Sequence, residues 1–250
     1  MKTAIFVYGQ YRDFDVVVKS WNFLNNLDCD VYFSTWDKSY QENPALNYYI
    51  EKDVTEDMIL KYVPNAKISI LNEKNHYGNK LLQTYNPEKM IFHFKKCLEM
   101  SKESNIKYDF IMLTRTDNFI KCNFPSENFY LMNKKDRIYG TNSVELCGPK
   151  KFFVMDIFFW GDYDVMSNFI NTLKDNTKDI HNGLAEHIFE SNLFVESTSD
   201  KIFIASVRGN IKELNEEEQL IQELVFLKTI DWNDSLFKYI RKLENNENNT

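Results

Sequence analysis

Chemically useful side chains follow an apolar segment in the middle of the chain. Residues 110–113 predict a buried strand, and Arg115 and Asp117 stand where that strand should end. In an open α/β sheet, ligands bind in the crevice outside the carboxyl ends of the strands. A carboxylate there can bind a divalent cation, and a guanidinium can bind a phosphate through two parallel hydrogen bonds. Arg115 and Asp117 together therefore suit a diphosphate, although the same spacing is also common in surface ion pairs.

A second polar group follows the first predicted strand, residues 4–8. Gly9 allows a tight turn, and the start of the next helix could offer backbone amides to an anion. Gln10 can hydrogen-bond to a base or a ribose, and Arg12 can pair with a phosphate. The segment is neither GxGxxG nor a Walker loop, so a Rossmann dinucleotide site and a P-loop are disfavoured. An ordinary turn with an exposed arginine is the alternative.

An aromatic residue ends the second predicted strand, residues 30–36. The ring of Trp36 could stack on a nucleobase or a sugar, or it could belong to the core. His76 and His93 have no motif around them, and we assign them no chemistry.

Further acids and histidines lie in the second half of the chain. Asp156 could be buried beside a site, and Asp162 could cap the helix that follows it. Glu186 could act as a general base or bind a metal. His181 and His187 are six residues apart, which is not the i,i+4 spacing of a helical zinc pair. A zinc hydrolase is therefore disfavoured.

The elements that must position these residues alternate along the chain. Apolar runs separated by helical patterns predict an α/β fold with a mainly parallel central sheet flanked by helices. The predicted strands are residues 4–8, 30–36, 67–71, 110–113, 137–140, 153–159 and 201–207. Helices are predicted around residues 16–24, 55–60, 87–104, 162–173 and 183–191, and residues 37–49 and 72–87 are predicted to be loops.

Composition limits the class of protein. The chain has 250 residues, 43% of them hydrophobic, and a formal net charge of -7. The length allows one large core, and the acidic balance disfavours a nucleic-acid partner. The four cysteines show neither zinc spacing nor a disulfide framework, and no run reaches the roughly 18 apolar residues of a membrane span. We therefore expect a cytoplasmic protein with reduced thiols and no transmembrane span.

The C-terminal part of the chain is predicted to be helical over residues 213–245, with a disordered tail at 246–250. Residues 236–243 are amphipathic and locally basic. They could make weak peripheral contact with an anionic membrane, or they could pack as an ordinary last helix, which is the commoner arrangement.

Several of these segments together resemble a known family. Gly-Gln-x-Arg after the first strand, the pair Ser20-Trp21, and a second strand ending in Thr35-Trp36 resemble a group of viral and bacterial sugar transferases. The chain is similar to GT-A nucleotide-sugar glycosyltransferases, in which an Asp-x-Asp turn after a central strand binds the metal and the donor diphosphate. Here Arg115 replaces the first acid, so the motif is Arg-x-Asp. The resemblance covers residues 5–37, 110–117 and 156–162.

The resemblance implies a single GT-A-like (Rossmann-like) domain over residues 1–245, with a donor half at 1–120 and an acceptor half at 121–245. Its activity would be hexosyl or deoxyhexosyl transfer from a nucleoside-diphosphate sugar to a glycan, a glycoprotein or a lipid-linked hydroxyl. Asp117 would ligate Mn²⁺ or Mg²⁺ from an exposed strand end, and Arg115 would replace part of the metal's charge. The donor-binding residues would be Gly9, Gln10, Arg12, Trp36, Arg115 and Asp117.

An inverting transferase also needs a carboxylate that deprotonates the acceptor hydroxyl. Asp156, Asp162 and Glu186 are the candidates. Two other functions stay open from the sequence. One is a sugar-phosphate nucleotidylyltransferase, although such enzymes usually open with a Gly-rich basic loop and this chain has only Gly9 there. The other is a non-catalytic nucleotide- or carbohydrate-binding module, which Arg115 in place of an acid would suit.

Overall fold

The computed structural model describes residues 1–12, 14–43, 48–78, 86–121, 135–140, 143–145, 152–154, 158–174, 180–197 and 203–206. All of these residues belong to the unit Met1–Gly209. Asp156, the helical segment 213–245, the amphipathic segment 236–243 and the tail 246–250 lie outside the described residues.

The described part of the chain contains both strands and helices. The strands are β1 Thr3–Tyr8, β2 Cys29–Trp36, β3 Lys38–Asn43, β4 Tyr48–Asp53, β5 Lys67–Leu71, β6 Phe110–Arg115, β7 Asn118–Lys121, β8 Arg137–Gly140, β9 Ser143–Glu145, β10 Phe152–Val154, β11 Phe158–Asp162, β12 Phe194–Ser197 and β13 Phe203–Ser206. The helices are α1 Phe14–Val17, α2 Phe23–Asn26, α3 Glu56–Leu60, α4 Glu73–Tyr77, α5 Asn86–Glu103, α6 Tyr163–Thr172 and α7 Ile180–Glu190.

The central sheet has seven strands in the order β12-β8-β11-β6-β1-β2-β5. Strand β11 is antiparallel to both of its neighbours, and all the other pairs in this sheet are parallel. Three two-stranded antiparallel pairs, β3 with β4, β7 with β13 and β9 with β10, accompany it. The predicted α/β class with a mainly parallel central sheet is therefore confirmed.

Helices cover the sheet on both faces, which explains why the central strands are continuous apolar runs. All six residues of β1 are buried. Because successive side chains of a strand point to opposite faces, β1 contributes to two separate clusters. Val7 packs in one cluster with Phe14 of α1 and Phe33 of β2. Phe6 packs in the other cluster with Phe94 of α5.

Several regions differ from the sequence prediction, and one of them is the predicted loop 72–87, in which residues 73–77 form helix α4. Most of the predicted loop at residues 37–49 falls in strands β3 and β4, which pair antiparallel, and Lys38 pairs with Glu51 at 3.2 Å and also with Asp53. The helix predicted around residues 16–24 is broken into α1, a 3₁₀ turn at Val18–Ser20 and α2. The hydroxyl of Ser20 donates to the carbonyl of Val17 at 2.6 Å, a local bond that competes with helix continuation.

Candidate functional site

The strand order reverses at β1. The chain lays down β1, β2 and β5 in one direction across the sheet and then returns to place β6 on the other side of β1. Such a reversal opens a crevice at the carboxyl ends of the two strands, where α/β proteins bind ligands. Tyr8, the last residue of β1, is in register with Arg115, the last residue of β6. The two segments that the sequence singles out therefore lie side by side.

The turn after β1 is fixed to the end of β6 by hydrogen bonds. Gly9 has φ +101°, a backbone conformation that a side chain would strain, so glycine is required there. The amide of Thr116 donates to the carbonyl of Tyr8 at 3.3 Å, and the Thr116 hydroxyl donates to the carbonyl of Gln10. Sequence reasoning missed Thr116, although its position between Arg115 and Asp117 was a signal that could have found it.

Three charged side chains meet beyond these strand ends. Arg115 donates from Nε to Oδ1 of Asp117 at 2.8 Å and from Nη2 to Oδ2 at 2.6 Å, so the pair is bidentate. Arg12 donates from Nη1 to Oδ2 of the same carboxylate at 3.3 Å. The other terminal nitrogen of Arg12 donates to Oε1 of Gln10 at 3.3 Å. Four of the predicted donor residues, Gln10, Arg12, Arg115 and Asp117, are thus in direct contact.

The three charged side chains differ in how far they are exposed to solvent. The side chain of Asp117 is 2% exposed and that of Arg115 is 11% exposed, whereas that of Arg12 is 31% exposed. The expectation that Asp117 stands at an exposed strand end was wrong, because its carboxylate turns inward between the two guanidinium groups. Arg12 is the member of this cluster that a ligand can contact most readily.

The segment that follows Asp117 is held by the Ser-Trp pair of the resemblance. The indole nitrogen of Trp21 donates to the carbonyl of Asn118 at 2.7 Å. The amide of Ile120 donates to the hydroxyl of Ser20 at 3.0 Å. These bonds tie the connection after α1 to strand β7. The Gly-Gln-x-Arg turn, the Ser-Trp pair and the Arg-x-Asp turn therefore form one connected unit around the strand-order reversal.

The residues at this edge do not fit a divalent cation. Such an ion needs several oxygen ligands, preferably from more than one carboxylate. Both oxygens of Asp117 already accept hydrogen bonds from guanidinium groups, and a cation placed there would stand beside two like charges. The described residues contain no group of three or more His, Cys, Asp or Glu that could hold a metal ion.

Trp36 lies in a packed aromatic cluster. Its side chain is 2% exposed, and its ring is stacked on Phe92 with centroids 5.5 Å apart. The ring of His93 contacts it at 4.3 Å, edge to face. The structure therefore presents no open face of Trp36 on which a nucleobase could stack.

His93, to which the sequence analysis assigned no chemistry, is 1% exposed and pairs through Nδ1 with the hydroxyl of Ser34 at 2.8 Å. Burial, together with the nearby charge of His76, lowers the pKa of His93 to about 3. The ring is therefore neutral in the folded protein near pH 7. Its burial next to Ser34 depends on the packing of α5 against β2. The residues around His93 in the sequence do not predict this packing.

Asp162 lies at the opposite edge of the sheet from the charged cluster. It is the last residue of the antiparallel strand β11, and its register partner is Phe110, the first residue of β6. Arg115 is five residues further along, roughly 16 Å at about 3.3 Å per residue. The carboxylate of Asp162 accepts hydrogen bonds from the amides of Asp164 and Val165 at 3.0 and 3.4 Å. Asp162 is thus the N-cap of α6. The prediction that it is a catalytic base at the charged cluster is not supported by this position.

The other candidate base within the described residues is on helix α7. Glu186 is exposed, and its charge acts on Lys174. Next to it, His187 is buried, and its Nε2 lies 3.2 Å from the Phe169 carbonyl and 3.0 Å from the Thr172 hydroxyl. Burial lowers the pKa of His187. His187 joins α7 to α6, whereas Glu186 stays accessible to solvent.

Comparisons with known proteins give a limited result. No protein-family model matches the chain, and no curated protein matches its sequence. One similar solved structure is assigned as a glucose-1-phosphate thymidylyltransferase from Bacillus anthracis, in complex with sucrose. Its sequence is 8% identical to this chain, and the two structures superpose with a TM-score of 0.46. The similarity covers 82% of this chain and 89% of that chain. The galactosyltransferase LgtC, solved with donor and acceptor sugar analogues, is 10% identical, with a TM-score of 0.41, over 78% of this chain and 73% of that chain.

At TM-scores this low, neither similarity establishes what the chain does, and the fold assignment rests on the order and direction of the strands. Within the described part of the chain, no helix is long and apolar enough to cross a membrane.

Proposed function

We propose that this protein is a GT-A-like glycosyltransferase that moves a hexosyl or deoxyhexosyl group from a nucleoside-diphosphate sugar to an acceptor hydroxyl. One observation carries the proposal. A partly exposed arginine, Arg12, is held at the strand-order reversal between β1 and β6 by Gln10 and Asp117. A crevice of this kind is where an α/β sheet binds its ligand, and a fixed guanidinium in it suits a phosphate.

The chemistry needs positive charge beside the leaving group. As the bond between the sugar's anomeric carbon and the diphosphate oxygen breaks, the diphosphate keeps the electron pair and its negative charge grows. An acceptor oxygen forms the new bond to the anomeric carbon and gives its proton to a base. Donors fixed in advance at the growing charge lower the barrier most, because they need no rearrangement during the reaction. Arg12 would supply such donors.

The base for the acceptor hydroxyl is proposed to be Glu186 or Asp156. Glu186 is exposed on α7, as a base that meets an acceptor must be. Asp156 lies outside the described residues, and it stands two positions before Phe158, which pairs with Thr114 next to Arg115. Both acids therefore remain proposed bases, and the acceptor is proposed to be a glycan, a glycoprotein or a lipid-linked sugar.

A second candidate is a non-catalytic module that binds a nucleotide or a carbohydrate. The observation that favours it is that Asp117 and Asp162 both have structural hydrogen-bond partners. Asp117 is engaged by two arginines, and Asp162 caps a helix at the far edge of the sheet. Such a module would keep the arginine that binds phosphate and would lack turnover.

The experiment is a donor panel. The purified chain is incubated with UDP-, GDP-, CDP-, ADP- and dTDP-linked sugars, and release of the nucleoside diphosphate is measured with and without simple sugar acceptors. Release that depends on Arg12, tested with Arg12→Ala, supports the transferase. Binding of a nucleotide sugar, seen as a raised unfolding temperature, without any release identifies the module. Transfer of a nucleotidyl group from a nucleoside triphosphate to a sugar phosphate would identify a nucleotidylyltransferase instead.

A further inference from the structure

We infer that the protein binds its diphosphate ligand without a divalent cation, with Arg115 standing where a metal-binding acid would stand and with Asp117 acting as a positioning residue. The inference rests on the proposed function, since it concerns the same site. It changes the assignment of Asp117 from a metal ligand to the residue that holds the arginine that contacts the ligand.

The described side chains of the cluster carry more positive than negative charge. One carboxylate lies between two guanidinium groups, so the three side chains together carry an excess positive charge. Guanidinium groups stay protonated at any physiological pH. A cluster of this sign attracts a diphosphate directly and repels a divalent cation. Among the described side chains of this cluster, positive charge for the phosphates is therefore present without a metal.

Asp117 divides its hydrogen bonds unequally between the two arginines. Arg115 makes the two short contacts, at 2.8 and 2.6 Å, and Arg12 makes the longer one, at 3.3 Å. Bidentate pairs of this kind are the strongest that the two side chains form. Arg115 therefore neutralises most of the charge of Asp117, and the charge of Arg12 stays available to a ligand. Without Arg115, Asp117 would compete with the ligand for Arg12.

The buried side chains of the cluster hold the partly exposed Arg12 in place. Asp117 and Arg115 have side chains that are 2% and 11% exposed, and Arg12 is 31% exposed. Arg12 also donates a hydrogen bond to the side-chain Oε1 of Gln10. The backbone carbonyl of Gln10 in turn accepts a hydrogen bond from the Thr116 hydroxyl. A long side chain fixed at two points loses less conformational freedom when it binds a phosphate. The arrangement thus prepares Arg12 for an anion before the ligand arrives.

The test compares binding with and without metal. Calorimetric titrations of the intact chain with UDP, GDP, CDP, ADP, dTDP and inorganic pyrophosphate are run in excess EDTA and again in MnCl₂. We expect at least one nucleotide to bind in EDTA with an affinity within about threefold of that in Mn²⁺. Binding that appears only with Mn²⁺ would overturn the inference and leave the proposed function standing. Absence of binding under both conditions would overturn the proposed function itself.

A substitution sharpens the test. Arg115→Asp restores an Asp-x-Asp sequence, and we expect it to weaken binding in EDTA at least about tenfold and to make binding dependent on Mn²⁺. Arg115→Lys is the matched control, since it keeps the charge but not the bidentate geometry. It should bind more weakly than the wild type and remain insensitive to EDTA. Circular dichroism verifies the fold of both variants, and a Lys variant that requires Mn²⁺ would contradict the inference even if the Asp variant does not fold.

Discussion

Nη1 of Arg12 lies 3.3 Å from Oδ2 of Asp117, although 105 residues separate them in the sequence. The contact joins the turn after β1 to the turn after β6, the two neighbouring strands at which the sheet order reverses. It shows that the two polar turns singled out by their sequence form one cluster. Because Arg12 is partly exposed and Asp117 is buried, we expect substitution of Arg12 to change ligand binding and substitution of Asp117 to change stability.

Replacing Arg12 by alanine should weaken nucleoside-diphosphate binding about 10- to 100-fold, because hydrogen bonds to charged groups contribute about 1.5–3 kcal/mol. The unfolding temperature should change little, since the side chain is partly exposed. Calorimetric titration measures the affinity. Arg137→Ala is the matched control: Arg137 pairs with the adjacent Asp136 at 3.0 Å and begins β8, at the other edge of the sheet. Equal losses in both variants would remove Arg12 from the site.

Replacing Asp117 by alanine should lower the free energy of unfolding by about 3–5 kcal/mol, because Arg115 would be left as a buried charge without its carboxylate. Urea denaturation followed by circular dichroism measures this loss. The double variant Arg115→Met, Asp117→Leu removes both charges and should recover most of the stability. If Asp117→Ala unfolds at the wild-type urea concentration, the ion pair is not buried in the way the structure shows.

Asp162 offers a test that separates capping from catalysis. Asp162→Ala should cost about 1 kcal/mol of unfolding free energy, since α6 loses its N-cap. Asp162→Asn should keep both the stability and any transfer activity, because asparagine caps helices as well as aspartate does. The stability is read from thermal unfolding and the activity from release of the nucleoside diphosphate. An Asn variant that is folded but inactive would return Asp162 to the candidate bases.

The sequence predicts the sheet well where buried strands are continuous apolar runs. The predicted strands 4–8 and 110–113 lie within β1 and β6, in which every residue is buried. The hairpin β3–β4 escaped prediction because its residues are mostly polar on both faces, so the alternation that marks a half-buried strand is absent. Its ladder is stabilised by pairing between the two strands, which a local pattern does not reveal.

The candidate site was predicted only in part, for similar reasons. The sequence brought Arg12 and Asp117 to the same edge, because parallel strands end together. An ion pair between Arg115 and Asp117 was the alternative that their spacing offered, but the sequence did not reveal that the pair is buried, since burial depends on packing. It also misplaced Asp162, because the antiparallel direction of β11 is set by pairing with β6 and β8 and has no mark in the strand's own residues.

A buried histidine provides a prediction about acid stability. His93 is 1% exposed, and its pKa is lowered from 6.5 to about 3, chiefly by burial. In the described structure its Nε2 has no hydrogen-bond partner, so a proton added there would meet no compensating acceptor. Below pH 6.5 the unfolded chain binds this proton and the folded protein does not. The free energy of unfolding should therefore fall as the pH falls from about 6.5 to about 3, and His93 should contribute no pH dependence above that range.

Replacing His93 by glutamine should remove this part of the pH dependence, because glutamine can still bond to Ser34 but does not titrate. Each unmatched proton contributes a slope of up to about 1.4 kcal/mol per pH unit. Urea denaturation at several pH values between 4 and 7 measures the slope for the wild type and for His93→Gln. His76→Gln is the control, since that ring is exposed in the same aromatic cluster, and it should keep most of the wild-type slope. Identical slopes for the wild type and His93→Gln would show that the carboxylates alone set the acid sensitivity.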